Sequence, residues 1–349
     1  MKTLQDFRVE GKRVLVRCDF NVPLSETGEI LDDFRITQTL PTIEYLIAKQ
    51  AKIIAMSHGG DPGGKVVPQL SLARVQERLL EYLDCSVTLA PDCVGKEIEQ
   101  WTLQMQNSEI LLLENLRFHR EEEENEKTFA NALAALGDIF INDAFSVSHR
   151  AHASIVGVPD FLPAGIGLLM QKELKALREF SQNPLHPFVT IVGGAKAQDK
   201  LSFITAISKK ADVVLLGNLI AKEAAKQNIV FQNKEKVVFP VDGVPSFQTP
   251  YDIGPGTRRI FKKYVSSAKN VFWTGPLGWV ERKEYTEGSL EIAKAIVESK
   301  AFAVAGGGNL SEFLQEYGLR DKFSYVSAGG GATLAFLGGE LLPGLAVLQ

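Results

Sequence analysis

Val189-Thr-Ile-Val-Gly-Gly-Ala-Lys-Ala-Gln-Asp-Lys200 reads as the junction of a strand and a helix in an α/β fold. A β-branched apolar run ends at Gly193-Gly194, and a polar, helix-forming segment with two lysines follows. Strand, glycine turn and helix start together make an anion site. The glycines admit a close backbone approach, the helix N-terminus offers unpaired N–H groups, and the lysines add charge. The bland alternative for one such loop is an ordinary βα turn with solvated lysines. The Gly-x-x-x-x-Gly-Lys-Ser/Thr pattern of a Walker loop occurs nowhere in the chain.

Working outward, apolar runs of strand length alternate with amphipathic helical segments. In the first half, strands are expected at Arg13–Cys18, Lys52–Ser57, near Val87, at Ile110–Leu113 and at Asp138–Asn142. Helices are expected at Phe34–Lys49, Ser71–Leu83 and Glu124–Leu136. Gly165–Ser181 reads as one long helix that Asn183-Pro184 stops. Strands then return at Phe188–Val192, Val213–Gly217, Val237–Pro240, Val271–Thr274, Ala301–Ala305 and Tyr325–Ser327. These strands lack apolar–polar alternation, so both faces of each sheet should be covered by helices, the mark of parallel sheets. The expected fold is α/β: two doubly wound parallel-sheet lobes joined by a long helix, with ligands at the carboxyl ends of the strands and facing the other lobe.

A length of 349 residues suits two domains. The expected division is 1–164, an interdomain helix at 165–183, and 184–342, with the apolar tail 343–349 docking elsewhere. The net charge of −4 gives no electrostatic reason to expect nucleic acid or an anionic membrane. Three cysteines without repeated spacing suggest a reducing compartment, and no apolar segment reaches signal or membrane-span length. A cytoplasmic location is expected.

The informative residues follow the strands. Asp19-Phe20-Asn21, His58, Arg117, and His149-Arg150-Ala-His152 stand at successive strand ends, and Arg35 opens the first helix. One such arginine is usually a surface residue. A set of them, with Asp19 and Asn21 as acceptors, suits a small phosphorylated acid. In the second half, Gly193-Gly194, Gly217, Gly275-Pro-Leu-Gly278, Gly306-Gly-Gly308 and Gly329-Gly-Gly331 follow strands and can cradle a polyphosphate through backbone N–H groups. A nucleotide lobe paired with an acid-phosphate lobe implies direct phosphoryl transfer.

These residues resemble the phosphoglycerate kinase family. The likeness rests on Val16-Arg-Cys-Asp-Phe-Asn-Val-Pro23, Asp32-Asp-Phe-Arg35, Leu112-Leu-Glu-Asn-Leu-Arg-Phe-His119, Asn142-Asp-Ala-Phe145, His149-Arg-Ala-His-Ala-Ser154, Gly193-Gly-Ala-Lys196, Asp252-Ile-Gly-Pro255 and Gly329-Gly-Gly-Ala332. It runs nearly end to end. The resemblance implies a hinge-bending monomer that moves a phosphoryl group between 1,3-bisphosphoglycerate with ADP and 3-phosphoglycerate with ATP, using Mg2+. By position, Asp19, Phe20, Asn21, Arg35, His58, Arg117 and Arg150 would hold phosphoglycerate in the N-terminal lobe. Arg35 and Lys196 would stabilise the transferring group. Lys200, Gly306, Gly307, Gly308 and Asn309 would face the nucleotide phosphates, with Glu281 on the ribose. The tail 343–349 would pack on the first lobe.

The chain departs from the family at several of these positions. Asp61 stands where the family has Arg, and Asn309 where it has the Asp that meets magnesium. Gly217-Asn-Leu-Ile-Ala221 replaces a glycine-rich run, Thr274 and Gly256 replace Asn and Lys, and the second lobe is shortened after Ala221 and Asp242. The leading expectation is a trimmed, active kinase. The alternative is a catalytically impaired paralogue acting as a phosphoglycerate-binding or protein-interaction module. A third reading changes the acyl-phosphate substrate.

Overall fold

The computed structural model describes residues 1–194 and 198–349, the side chains of 198 and 199 excepted. Two compact units form: Met1–Glu173 with Leu341–Gln349, and Leu174–Glu340.

In the first unit the elements run β1 (Arg13–Arg17), α1 (Phe34–Ala48), β2 (Lys52–Met56), α2 (Ala73–Tyr82), β3 (Val87–Leu89), α3 (Lys96–Gln104), β4 (Ile110–Leu112), α4 (Arg120–Glu123), α5 (Lys127–Ala135), β5 (Ile139–Asn142) and β6 (Ala164–Ile166). The six strands make a sheet of order β3-β4-β2-β1-β5-β6, parallel throughout. Val14, Leu15, Val16, Ile53, Ile54 and Ile141 are buried. A strand covered on both faces has no use for polar alternation, which is why its sequence reads as a continuous apolar run.

α6 (Leu168–Ser181) starts in the first unit, and its residues from Leu174 belong to the second. There the order is β7 (Phe188–Val192), α7 (Gln198–Ile207), β8 (Val213–Leu216), α8 (Asn218–Lys226), β9 (Val237–Val238), β10 (Gly243–Val244), β11 (Asp252–Ile253), α9 (Pro255–Ser267), β12 (Asn270–Thr274), α10 (Glu287–Ser299), β13 (Phe302–Gly306), α11 (Gly308–Glu316), β14 (Tyr325–Ser327) and α12 (Gly331–Gly338). Six strands again form a parallel sheet, of order β14-β13-β12-β7-β8-β9, and β10 pairs antiparallel with β11. Phe180 of α6 packs its ring 5.3 Å from Phe188 and about as close to Phe272 and Phe302, which anchors the helix on this core.

The segment expected as one helix from Gly165 is a strand followed by a helix. Ala164 and Gly165 pair with Phe140 and Ile141, and the Ile166 amide donates to the Lys2 carbonyl at 3.0 Å. Those partners are remote in sequence, so local helical patterning could not show them. α6 begins only at Leu168, where Thr42 Oγ1 accepts from the Leu168 amide and Asp143 Oδ1 from the Met170 amide. The strand expected through Pro240 ends at Val238; proline has no N–H for a ladder. The apolar tail forms α13 (Pro343–Ala346) in the first unit, with the Gly344 amide donating to the Ser148 carbonyl at 2.9 Å.

Candidate active site

Each sheet has one point where successive connections leave in opposite directions. In the first it lies between β1 and β5, and in the second between β7 and β12. Loops after the two strands part there and leave a crevice at the sheet's carboxyl edge. Asp19, Asn21 and Arg150 follow the strands at the first point, and Gly193-Gly194 and Glu281 those at the second, while His58, Arg117 and Asn309 follow other strands of the same sheets.

In the first unit, the β1 loop carries Asp19-Phe20-Asn21. Asp19 is buried, and its Oδ2 accepts from Arg35 Nη1 at 2.6 Å and from the Ser146 hydroxyl, which follows β5. Burial opposes ionisation of Asp19, but chiefly Arg35, with the Ser146 hydroxyl and the Asn21 amide, outweighs it, and the carboxyl is held far below its ordinary range. Phe20 is buried, with its amide donating to Ser57 Oγ at 2.8 Å. Asn21 Oδ1 accepts from the Gly60 amide at 2.8 Å. Asp19 and Asn21 thus brace the site, and their oxygens keep further lone pairs. Arg35 sits on the first turn of α1, with its side chain 28% exposed.

Arg117 is held by the short turn Leu116–Phe118, which Asn115 braces. The Asn115 amide group donates to the carbonyls of Gly59 and Leu70, while its oxygen accepts from the Arg117 amide. Arg117 Nη1 donates to the Gly60 carbonyl at 2.7 Å. Its Nε is buried without a hydrogen bond, although Glu123 stands 3.4 Å away. Burial first, then the Arg150 charge, lowers the Arg117 pKa, while Glu123 and Asp61 support the cation. An anion bound here would relieve that strain. Arg150 itself is exposed, on the turn after Val147. Asp61 is exposed and close enough for its charge to reach Arg117.

Beneath these groups lies a network that sequence reading missed. Arg17, the last residue of β1, is wholly buried. It donates to Ser154 Oγ at 2.8 Å and to the Cys18 carbonyl, and its Nη2 lies 3.3 Å from His58 Nδ1. Ser154 in turn donates to buried Glu122 at 2.6 Å. His152, expected to line the crevice, is buried with Nδ1 3.8 Å from Glu122, and burial plus Arg117 and Arg17 push its pKa down to about 4. The available signal was an arginine ending an otherwise apolar strand. Ser146 and Ser154 carried none, because a serine in a loop has no distinctive pattern.

In the second unit the loops after β7 and β12 interlock. The Gly193 amide donates to the Thr274 carbonyl at 2.8 Å and the Gly194 amide to the Pro276 carbonyl at 2.7 Å. A Cβ on Gly193 would stand 2.2 Å from the Pro276 oxygen, and one on Gly275, whose φ is +71°, 2.5 Å from the Gly193 oxygen. Only glycine fits that approach. Lys200 Nζ donates to the Gly193 carbonyl, which sets its charge at the loop. Lys196 lies outside the described residues. Gly306 ends β13, Gly307 with φ +107° caps α11, and Gly308 opens it. Asn309 and Glu281 are exposed, and Asn309 Nδ2 donates to Glu281 Oε1 at 2.9 Å. Both present oxygen, the donor type that magnesium takes.

Among the described residues, Asp92, Cys93 and His119 form one group with ligand types for an ion. Asp92 Oδ1 already accepts from His119 Nε2 at 2.7 Å and from the Cys93 amide at 2.6 Å, so these groups satisfy one another.

The family model described as phosphoglycerate kinase matches residues 4–230 and 219–340. The phosphoglycerate kinase of Coprothermobacter proteolyticus is 39% identical over 388 residues, covering 100% of this chain and 98% of its own. That of Borreliella burgdorferi strain B31 is 40% identical over 391 residues, covering 100% and 99%. Phosphoglycerate kinase from Pyrococcus horikoshii OT3 superposes with a TM-score of 0.88 at 31% identity, covering 100% and 98% of the two chains. The Coxiella burnetii structure gives 0.82 at 31%, covering 99% and 98%. Alignments of 388 and 391 residues on a chain of 349 mean that these relatives hold segments this chain lacks.

Proposed function

The chain belongs to the phosphoglycerate kinase family and its function is that of a phosphoglycerate kinase; on that premise we propose how its residues divide the work. The impaired-paralogue alternative is not favoured: the family match runs the length of the chain. The acceptor is the carboxylate of 3-phosphoglycerate, held in the first unit by Asp19, Phe20, Asn21, Arg35, His58, Arg117 and Arg150. The nucleotide phosphates lie against the Gly193-Gly194 loop, Lys200 and the start of α11 at Gly306–Asn309, with Glu281 on the ribose. Neutralising charge on the transferring group falls to Arg35 and Lys196. Asn309 would hold part of the magnesium that would supply charge neutralisation at the nucleotide phosphates. Direct transfer requires both ligands in line with water excluded.

The observation that carries this division is the meeting of Asp19, Arg35 and Ser146 at the β1/β5 crevice, with Asp19, Arg35 and the buried cation Arg117 all within electrostatic reach of His58. A cytoplasmic monomer completes the reading. No helix among the described residues is long and apolar enough to cross a membrane. The test is a coupled assay with ATP and 3-phosphoglycerate, titrating magnesium. Turnover that disappears in Arg35→Ala and Lys196→Ala supports the division, whereas turnover unchanged by either substitution refutes it.

A further inference from the structure

We propose that Arg17 is a positioning residue that fixes the tautomer of His58, holding the ring neutral with its single proton on Nε2. A guanidinium donates and never accepts. With Arg17 Nη2 at 3.3 Å, His58 Nδ1 must present its lone pair. A proton on Nδ1 would set two donors head to head, and an imidazolium would add a cation to a ring only 2% exposed.

Arg17 cannot turn away. Its Nε donates to Ser154 Oγ at 2.8 Å and its Nη1 to the Cys18 carbonyl, and Ser154 is gripped by Glu122 through its hydroxyl at 2.6 Å and its amide at 2.9 Å. The charged groups facing His58 are Arg17, Asp19, Arg117 and Arg35. Burial comes first and Arg17 next in pushing its pKa well down, with only Asp19 opposing. On the reading that phosphoglycerate binds here, His58 offers that anion one directed N–H bond, while Arg35, Arg117 and Arg150 supply the charge.

The test labels histidine with 15N and records two-bond ring correlations, with His58 assigned by its loss in His58→Gln. Bare Nδ1 and protonated Nε2 from mildly acid to mildly alkaline pH are expected. An Nδ1-protonated ring or an imidazolium in that range overturns the proposal. In Arg17→Met, His58 should populate both tautomers and titrate, and phosphoglycerate should bind on the order of tenfold more weakly; an unchanged tautomer overturns Arg17's part. If that variant does not fold, Arg17→Lys carries the test, because one ammonium cannot serve Ser154, Cys18 and His58 in the guanidinium's geometry. There too, an unchanged tautomer ratio overturns it. Added 3-phosphoglycerate should move the Nε2–H signal and leave Nδ1 bare, and conversion to imidazolium overturns the proposal. No response to 3-phosphoglycerate, together with no turnover, would refute the proposed function while the tautomer in the free protein stood.

Discussion

Asn309 and Glu281 are joined by a 2.9 Å hydrogen bond, amide to carboxylate, linking the first turn of α11 to the loop after β12. Asn309→Asp replaces that donor with a second carboxylate. The two oxygens then repel until a cation sits between or beside them. We expect the magnesium needed for half-maximal rate to fall by about tenfold, since ligand charge sets affinity at such sites. A metal titration of parent and variant checks this, and an unchanged requirement would remove Asn309 from the metal's surroundings.

Arg35→Ala should lower kcat by about 10³-fold, roughly 4 kcal/mol, the weight usual for a group that meets charge developing in the transition state. The fold pays separately. In the parent, the depressed pKa of Asp19 adds stability above the ordinary carboxylate range, lost as pH falls through the native value. Without Arg35 the buried carboxylate rises instead, so the variant should lose a few kcal/mol at neutral pH and less in acid, where a protonated Asp19 needs no partner. Urea unfolding at both pH values reads this directly; an equal loss at each would contradict it.

Asp61→Arg should tighten phosphoglycerate binding several-fold, because it turns a carboxylate within electrostatic reach of Arg117 into a cation. The gain should shrink as salt is raised. Binding titrations at low and high ionic strength are the check, and a gain independent of salt would point to a different cause.

Asp143 gives the pH dependence an opposite sign. It is fully buried, and burial raises its pKa to about 7, against partial relief from Thr42 and the amides of Met170 and Leu169. Between the unfolded value of 3.8 and about 7 the native state holds the extra proton, so stability falls as pH rises across that window and stays lower above it. The amount is on the order of a few kcal/mol. Asp143→Asn keeps an oxygen for the Met170 amide and removes the titration. Its thermal midpoint relative to the parent should therefore improve from acid to alkaline pH; a constant difference would show that Asp143 does not titrate there.

Gly193→Ala should unfold the second unit's crevice or prevent its formation, because the added Cβ meets the Pro276 carbonyl oxygen at 2.2 Å and both sides of the contact are backbone. Loss of nucleotide affinity with phosphoglycerate binding retained is the expected pattern. Full nucleotide affinity would show that the loops can separate.

The sequence by itself determined the class of fold and the places where chemistry gathers. Strands buried on both faces are mostly apolar, and Val14–Val16, Ile53–Ala55 and Val214–Leu216 show it without any partner in view. In a parallel sheet the strand ends are where ligands bind, so Asp19, His58 and Gly193 could be singled out by position in the chain. Tertiary structure alone decided whatever depends on partners distant in sequence. The strand at Ala164–Ile166 exists because β5 and Lys2 complete its hydrogen bonds. Asp19 accepts from Arg35 and Ser146, and Arg17 becomes a buried brace because Ser154 and Glu122, more than a hundred residues on, offset its desolvation. Periodicity reports what is solvated along one segment; hydrogen bonds and ion pairs between segments are set only when the sheet brings its loops together.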